Sequence, residues 1–456
     1  MFFKSDAKRV FDTDILLSDT MDAAIRTWNQ IYSGHPGWVD NENHIKTINF
    51  AKSITSETAR LTCLDLSIKI DGSARATYLQ SIIDEMFDKI RGYVEKGCAN
   101  GTIVLKPNGN GVDCFVPGID CLPTETDGLN NIRGAIFFDF YVKSDNHYTR
   151  MEYHRFVNEE YQISNRCFLS KSSQSLGDPV NIATTPWSDL FEDVSISNLK
   201  KPLFAVFKTP QENNVDPTSP LGMSMFAEAL EELKDLDVAY SRNVKEIYDS
   251  ARIVLLDERM TMLGAVRGED GNNIKRYVKM PDYVKNVMSE NPDDFYQEIN
   301  PNLNTEIRVS GINSILSILA YKCGYSNGYF SFDAATGIQT ATGVEAEQQR
   351  TIQFIKDVRD KLQMAMDDLI YAIDKHADLY ELSEIGVYQV SYGFGDITYN
   401  YEEDKKTWWG YVQAGKVPFW KYLIKFENMS EEEAKELEAA GKEANKPEDK
   451  SLFGEE

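Results

Sequence analysis

From Val344 to Ile385 the chain contains neither glycine nor proline, and this stretch constrains the fold more than any other. Ile352, Ile355, Leu362, Met366, Leu369 and Ile373 recur at the three- and four-residue steps of one helical face. The pattern predicts a helix from Thr342 to about Ala377, on the order of 50 Å long at a rise of about 1.5 Å per residue. An ordinary helix has only about three turns. The spacing Thr342-Gly-Val-Glu345 is that of a capping box, in which hydroxyl and carboxylate satisfy the free amides of the first turn. Just upstream, Tyr325 to Gly343 forms a loop whose one charged residue is Asp333. Its aromatics Tyr325, Tyr329, Phe330 and Phe332 are expected to support the loop's base. Thr336, Gly337, Ile338 and Gln339 are expected to form a mobile tip.

The 456 residues allow two or three domains and a sizeable core, and 42% hydrophobic residues exclude a wholly disordered chain. No apolar run reaches the length of a membrane span, and the N-terminus carries Lys and Asp too early for a secretory signal, so a cytoplasmic chain with no membrane partner is expected. Forty-eight basic against 72 acidic residues give a formal charge of −24. A protein that grips nucleic acid by neutralising phosphates has the opposite balance. Cys63, Cys98, Cys114, Cys121, Cys167 and Cys323 include no C-x-x-C pair and are expected to be reduced, buried small hydrophobes. No histidine spacing suggests a metal site, and no cofactor is expected.

Periodicity places helices at Thr20–Tyr32, Ile45–Thr62 and Ala74–Glu95, with a short strand in "LSIKIDG". From Gly101 the period becomes two, and five β-rich runs separated by "NGNG", "SDN" and "NEE" predict one antiparallel meander. Met223–Ser250 then predicts a helix with a stripe through Phe226, Leu230, Leu233, Tyr240, Val244 and Ile247. A small insert of strands and turns follows, then a helix at Thr305–Tyr321. After the long helix come a short β segment, "GVYQVSYGFGDITYNY", and acidic helices, one started by a capping box at Ser430–Glu433. The segment from Gly441 to the end is expected to be a solvated tail.

Signs of catalysis are few. There is no G-x-x-x-x-G-K-[ST] cradle and no G-x-S-x-G elbow; "NGNG" at Asn108–Gly111 lies between β runs and is expected to be a hairpin turn. Glu152 and His154 alternate on one strand and so share a face; they are expected to be a satisfied surface pair, because no nucleophile is suggested nearby. Asp12/Asp14, Asp293/Asp294 and Asp367/Asp368 lack the spacing logic of a two-metal nuclease and are expected to be solvated faces. The chain is therefore not expected to be an enzyme.

The order of parts carries a resemblance. "AAIRTWNQIYSG", "RMEYHRFVNEEYQISNRCF", "SPLGMSMFAEALEELKDLDVAYSRN", "GYFSFDAATGIQTATGVEAEQQRT" and "YVQAGKVPFWKYLIKFENMSEEEA" follow one another. Together they resemble a tailed-bacteriophage portal protein, the head-to-tail connector, of long-tailed phages of Gram-positive hosts. The family's usual T-A-T-E is interrupted here by Gly343 and Val344 before Glu345. The resemblance implies an α+β portal fold: a wing (1–221), a stem helix (222–254), a clip (255–303), a second stem helix (304–325), a tunnel loop (326–341), a long wing helix (342–382), a wing β segment (383–404), and a crown with an acidic tail (405–456). It implies a homo-oligomeric ring, commonly of twelve copies, at a unique capsid vertex of the virion, assembled in the host cytoplasm. Double-stranded DNA would pass through without tight binding, past a loop of Asn327, Asp333, Thr336, Gly337, Ile338, Gln339 and Thr340. The partners implied are the terminase large subunit, the major capsid and scaffold proteins, and a head-completion (adaptor) protein. Leu230, Leu233, Tyr240 and Leu316 would pack the stem. Another capsid or tail structural protein, or a carboxylate-dependent enzyme, is the alternative.

Overall fold

The computed structural model describes residues 4–40, 42, 44–109, 111–250, 253–257, 262–267, 273–277, 284–287, 296–299, 304–332, 341–395, 401–427 and 429–444. The N-terminal part is helical: α1 Lys4–Phe11, α2 Asp19–Tyr32, α3 Phe50–Thr62 and α4 Ala74–Asn100, with strand β1 Ser67–Asp71 before α4. Ser18 caps α2, its hydroxyl accepting the Met21 N–H at 3.2 Å. Helix α3 starts later than the expected Ile45. The backbone there is held elsewhere, Lys46 N–H donating to Ser241 Oγ at 3.0 Å and Ile48 N–H to Asp237 Oδ1 at 2.9 Å. Helix α4 runs past the expected Glu95 because Cys98 and Ala99 continue its buried face.

The β region holds β2 Thr102–Pro107, β3 Val112–Phe115, β4 Cys121–Thr126, β5 Ile132–Lys143, β6 Asn146–Val157, β7 Glu160–Ser170, β8 Asp178–Val180, β9 Asp193–Ile196 and β10 Ala205–Lys208. It is not the single meander expected. β10, β2 and β3 form one antiparallel sheet, and β4-β5-β6-β7-β8, with β9 also on β7, form another. The division follows from β10, a later strand that pairs back onto β2 and gives the first hairpin its own sheet. The Asn108–Gly111 turn joins β2 to β3, with Pro107 opposite Val112 and Asn108 N–H bonded to Gly111 O at 3.1 Å. It is a hairpin, as its glycines suggest.

Helix α5 covers Leu230–Asp249, after a single 3-10 turn at Ala227–Ala229. Met223–Phe226, expected to be helical, is not. Thr209 donates to Met223 O at 2.7 Å and Met225 N–H donates to Cys98 O at 3.0 Å, so this buried segment is tied to neighbouring backbone instead. The insert contains β11 Ile253–Asp257, β12 Met262–Arg267, β13 Asn273–Tyr277, β14 Val284–Val287 and β15 Tyr296–Ile299. β12 and β13 form a hairpin; β11 lies between β14 (parallel) and β15 (antiparallel). Then follow α6 Thr305–Lys322, α7 Ala341–Leu379, β16 Gln389–Gly393, and α8 Tyr401–Gln413, α9 Phe419–Glu427 and α10 Glu431–Ala444. The Ser430 capping box forms, Ser430 N–H donating to Glu433 Oε2 at 3.1 Å and Glu433 N–H to Ser430 Oγ at 3.3 Å. Helix α10 takes in Gly441–Ala444, the start of the expected tail, and the rest of that tail lies outside the described residues.

One hydrophobic core joins α2, α3, α4, the two sheets and the apolar face of α7. The three last helices have a separate small core around Tyr422, Leu423 and Phe426. Two buried arginines fasten α7 to the first hundred residues. Arg75, fully buried, donates to Asp374 O at 2.9 Å, Asp378 Oδ1 at 2.6 Å, Ser383 O at 3.0 Å and Glu384 O at 3.1 Å. A cation thus meets the carbonyl-rich end of the helix, where the macrodipole favours it. Arg359 does the same for α3, donating to Leu61 O at 2.8 Å and Thr62 O at 3.1 Å, and also to Gly395 O at 2.9 Å. Replacing Arg75 by Met should cost about 3 kcal/mol or more, since several buried acceptors lose their donor together. Denaturant titration of the variant is the check, and a loss under about 1 kcal/mol would show that the arginine is dispensable.

Candidate functional site

The end of α6, a short aromatic segment and the apolar face of α7 come together on either side of residues 333–340. Helix α6 closes in a Schellman turn: Tyr325 N–H reaches back to Ala320 O at 2.9 Å, and Gly324 adopts φ +87°. Only glycine suits that position, because a Cβ there would lie 2.7 Å from the Phe354 ring. The turn drives Tyr325 into the core, where its hydroxyl meets Thr58 Oγ1 at 2.6 Å. Phe330 packs edge-on against Phe50 at 5.2 Å, and Tyr329 donates to Glu57 Oε1 at 2.6 Å. Tyr325, Tyr329 and Phe330 form one ring cluster with centroids 4.8–5.0 Å apart. Phe332 is 55% exposed, its N–H donating to Asn313 Oδ1 at 3.0 Å.

Sequence reasoning missed the polar latch beside this cluster. Ser326 N–H donates to Thr351 Oγ1 at 2.8 Å and Thr351 N–H donates to Ser326 Oγ at 3.3 Å, both buried. Arg350 lies over the Tyr321 ring at 4.0 Å and donates to Tyr321 O at 3.0 Å. The Cys323-Gly324 helix stop was the one signal in the sequence. A cleft of about 850 Å³ opens next to the latch, lined among others by Gln211, Tyr321, Lys322, Asn327, Arg350 and Gln353. Asn327 is exposed. Asp333, Thr336, Gly337, Ile338, Gln339 and Thr340 lie outside the described residues. Thr342 and Glu345 fall within the first turns of α7, which begins at Ala341. The Ser326 and Thr351 hydroxyls are engaged with each other and with each other's main-chain amides. The arrangement is a rigid mount, holding the chain on both sides of 333–340.

Helices α5 and α6 pack against each other as an antiparallel pair. Glu232 near the start of α5 meets Lys322 at the end of α6 at 2.6 Å, and Glu246 near the end of α5 meets Arg308 at the start of α6. Leu233 and Leu316 are buried in this pair, Leu230 is half-buried and Tyr240 is 38% exposed.

Glu152 and His154 share a face as expected but are buried, not at the surface. Glu152 Oε2 accepts from Lys106 Nζ at 2.6 Å and lies 2.9 Å from Arg150, which also binds Asp139. His154 bridges Glu152 Oε1 and the Tyr161 hydroxyl, both at 2.7 Å, and that hydroxyl accepts the Leu203 N–H at 3.0 Å. Lys106 sits on a different sheet, so strand alternation gave no hint of it. Burial opposes the Glu152 charge, but Lys106, His154 and Arg150 outweigh it and hold the carboxyl well below the usual range. Burial lowers His154, with Glu152 only partly offsetting it. The acidic pairs are dispersed: Asp14 is bound by Lys8 at 2.7 Å, Asp367 by Tyr392 at 2.6 Å and Asp368 by Lys201 at 2.5 Å, while Asp293 and Asp294 lie outside the described residues.

All six cysteines are free; burial pushes Cys63 up to about 11 and Cys323 to about 12. Among the described residues no three His, Cys, Asp or Glu side chains gather as a metal site, and no helix is long and apolar enough to cross a membrane. Comparison with protein families and with curated proteins returned no match for this chain.

Glu152 and His154 are both depressed, so their contribution to stability is complete above the ordinary histidine value of about 6.5 and declines as pH falls, histidine first and carboxylate later. Thermal unfolding should show that acid decline. Glu152→Gln should cost about 3 kcal/mol at neutral pH, by leaving Lys106 short of its anion, and should remove the lower, carboxylate part of the acid limb while the histidine part remains. An unchanged acid limb in the variant would remove Glu152 as its cause.

Proposed function

We propose that this chain is a portal-type subunit: copies close into a ring around a channel for double-stranded DNA, with docking faces for the packaging terminase and for head-completion proteins. The observation that carries the reading is the outer face of α6. From Val309 to Tyr321 the helix has no charged residue. Its inner face, Ile312, Leu316, Leu319 and Ala320, is buried in the chain's own core. The opposite face is apolar or small as well, and bare: Ile307 is 75%, Ile318 52% and Tyr321 57% exposed, with Gly311 and Ser314 exposed between them. These five residues alternate steps of four and three, the spacing of a helix-packing seam. A helix apolar all round is one covered all round. On α5, Ile247 and Tyr248 are bare as well, at 54% and 78% exposure. An uncharged seam is where a chain of charge −24 can meet another copy without self-repulsion.

Further features support the reading. The α5/α6 pair brackets a small strand insert, in the order resembling stem and clip, and the mount around Tyr325 and Thr351 would let a channel loop move while its base stays fixed. The acidic balance suits a conduit, since repulsion screened beyond about 10 Å keeps a duplex centred rather than bound. A carboxylate enzyme gains nothing from Glu152 and His154, whose polar atoms are spent on each other and on Lys106, Arg150 and Tyr161.

Ile318→Lys alters an exposed position, so the fold should survive while assembly fails. Sedimentation velocity should show several hundred kilodaltons for the parent protein and a species near the chain mass of 51.8 kDa for the variant. Equal masses for both would mean that the seam is not the contact. In a packaging assay, lysines at Ile338 and Gln339 together should stall DNA more severely at low salt than at high salt, because sliding becomes phosphate binding. Normal packaging would place that loop away from the channel.

A further inference from the structure

Strands β1 and β16 form a two-stranded antiparallel sheet joining residues more than three hundred apart, with Ile70 opposite Val390 and Ile68 opposite Tyr392. Its two edges are treated differently. On the β1 side the Gln80 side chain acts as a substitute strand: Ile70 N–H donates to Gln80 Oε1 at 2.8 Å, and Gln80 Nε2 donates to Ile68 O at 3.1 Å. Ile68 and Ile70 therefore turn their main-chain groups away from β16, and in an antiparallel ladder their opposite numbers Val390 and Tyr392 turn theirs away from β1. Among the described residues nothing bonds to the main-chain groups of Val390 or Tyr392. Among the described residues one edge is closed and the other is open.

The approach to the open edge is rigid and apolar. Arg75 holds the carbonyls of Ser383 and Glu384, and Gly72, at φ +142°, lets Val387 O come within 2.6 Å of where a Cβ would stand. Yet Ile385 and Val387 are 87% and 85% exposed. Backbone fixed this firmly, carrying side chains this bare, is preorganised for a partner. The exposed charges of this segment and of β1 are Glu381, Glu384 and Asp71 against Lys69, so the surround is acidic.

We infer that the free edge of β16 takes up an extended, basic and apolar peptide segment of a different protein as an added strand, with Ile385 and Val387 receiving its alternate side chains. Strand addition supplies main-chain hydrogen bonds at such an edge, and pockets beside it supply selectivity. A second copy of this chain is the weaker fit, since its net charge of −24 would oppose an acidic edge. The inference does not need the ring.

A short fluorescein-labelled peptide of alternating valine and lysine, titrated with full-length protein and read by fluorescence anisotropy, is the test. It should bind, while a valine–glutamate peptide and a valine–lysine peptide N-methylated at alternate residues should not. Val390→Pro removes an outward N–H that β1 does not use, as an edge strand tolerates; it should weaken binding about tenfold with the thermal midpoint unchanged. Ile385→Ser, an exposed change, should weaken binding too. Equal binding of the N-methylated peptide would reduce the effect to charge attraction, and no binding at all, or no effect of either variant, would overturn the proposal. So would smaller assemblies of Val390→Pro in sedimentation, which would give the edge to a second copy. Peptide binding that persists in an Ile318→Lys protein of unchanged assembly mass would leave this inference standing while the seam fails.

Discussion

Everything in this fold is referred to one long helix, and the helix is held by guanidinium groups. α7 crosses the sheet of β2 and β10 and packs on α3 and α4, but packing alone fixes a cylinder poorly against rotation and sliding. Arg75 at the C-terminal end and Arg359 near the middle spend their donors on main-chain carbonyls of other segments. Carbonyl oxygens at helix ends are otherwise unpaired, so each arginine satisfies a deficit of one element with a side chain from another. Sliding α7 by a residue would break both sets at once.

That rigidity explains what lies at the ends of the helix. At its start, the Ser326–Thr351 latch and the Tyr325 ring cluster hold the incoming chain against α3 and α7. At its end, Arg75 fixes the turn that delivers β16 to β1. The first arrangement fixes the chain on either side of residues 333–340; the second sets the direction of β16, whose outer edge is unpaired among the described residues. The bare seam of α6 follows the same logic, since its inner face is committed to the core and its outer face is left uncharged.

Local signals were legible in the sequence. The apolar period of α7, the hairpin at Asn108–Gly111 and the capping box at Ser430 each depend on residues within a few positions of one another, so local chemistry decides them. What escaped depended on distant partners. β10 joins β2 across a hundred residues and splits the expected meander. β4 carries Pro123, which spoils a strand pattern but is tolerated at a sheet edge. Met223–Phe226 has a helical pattern, yet Cys98 of α4 takes the Met225 N–H and Thr209 takes the Met223 carbonyl. Glu152 and His154 read as a surface pair because Lys106, their neutralising neighbour, comes from another sheet. Of the four aromatics expected to act together, Tyr325, Tyr329 and Phe330 cluster while Phe332 stays 55% exposed, and the latch beside them is two small hydroxyls with no pattern of their own.

The central claim is that the uncharged face of α6 is covered by another copy of the chain. Negative-stain imaging of the purified full-length protein tests it most directly, because a heterologous contact that closes on itself leaves a ring with a visible hole. The account predicts closed rings of uniform diameter with a central channel. Monomers or two-fold dimers as the dominant particle, at concentrations where the protein is folded, would contradict it.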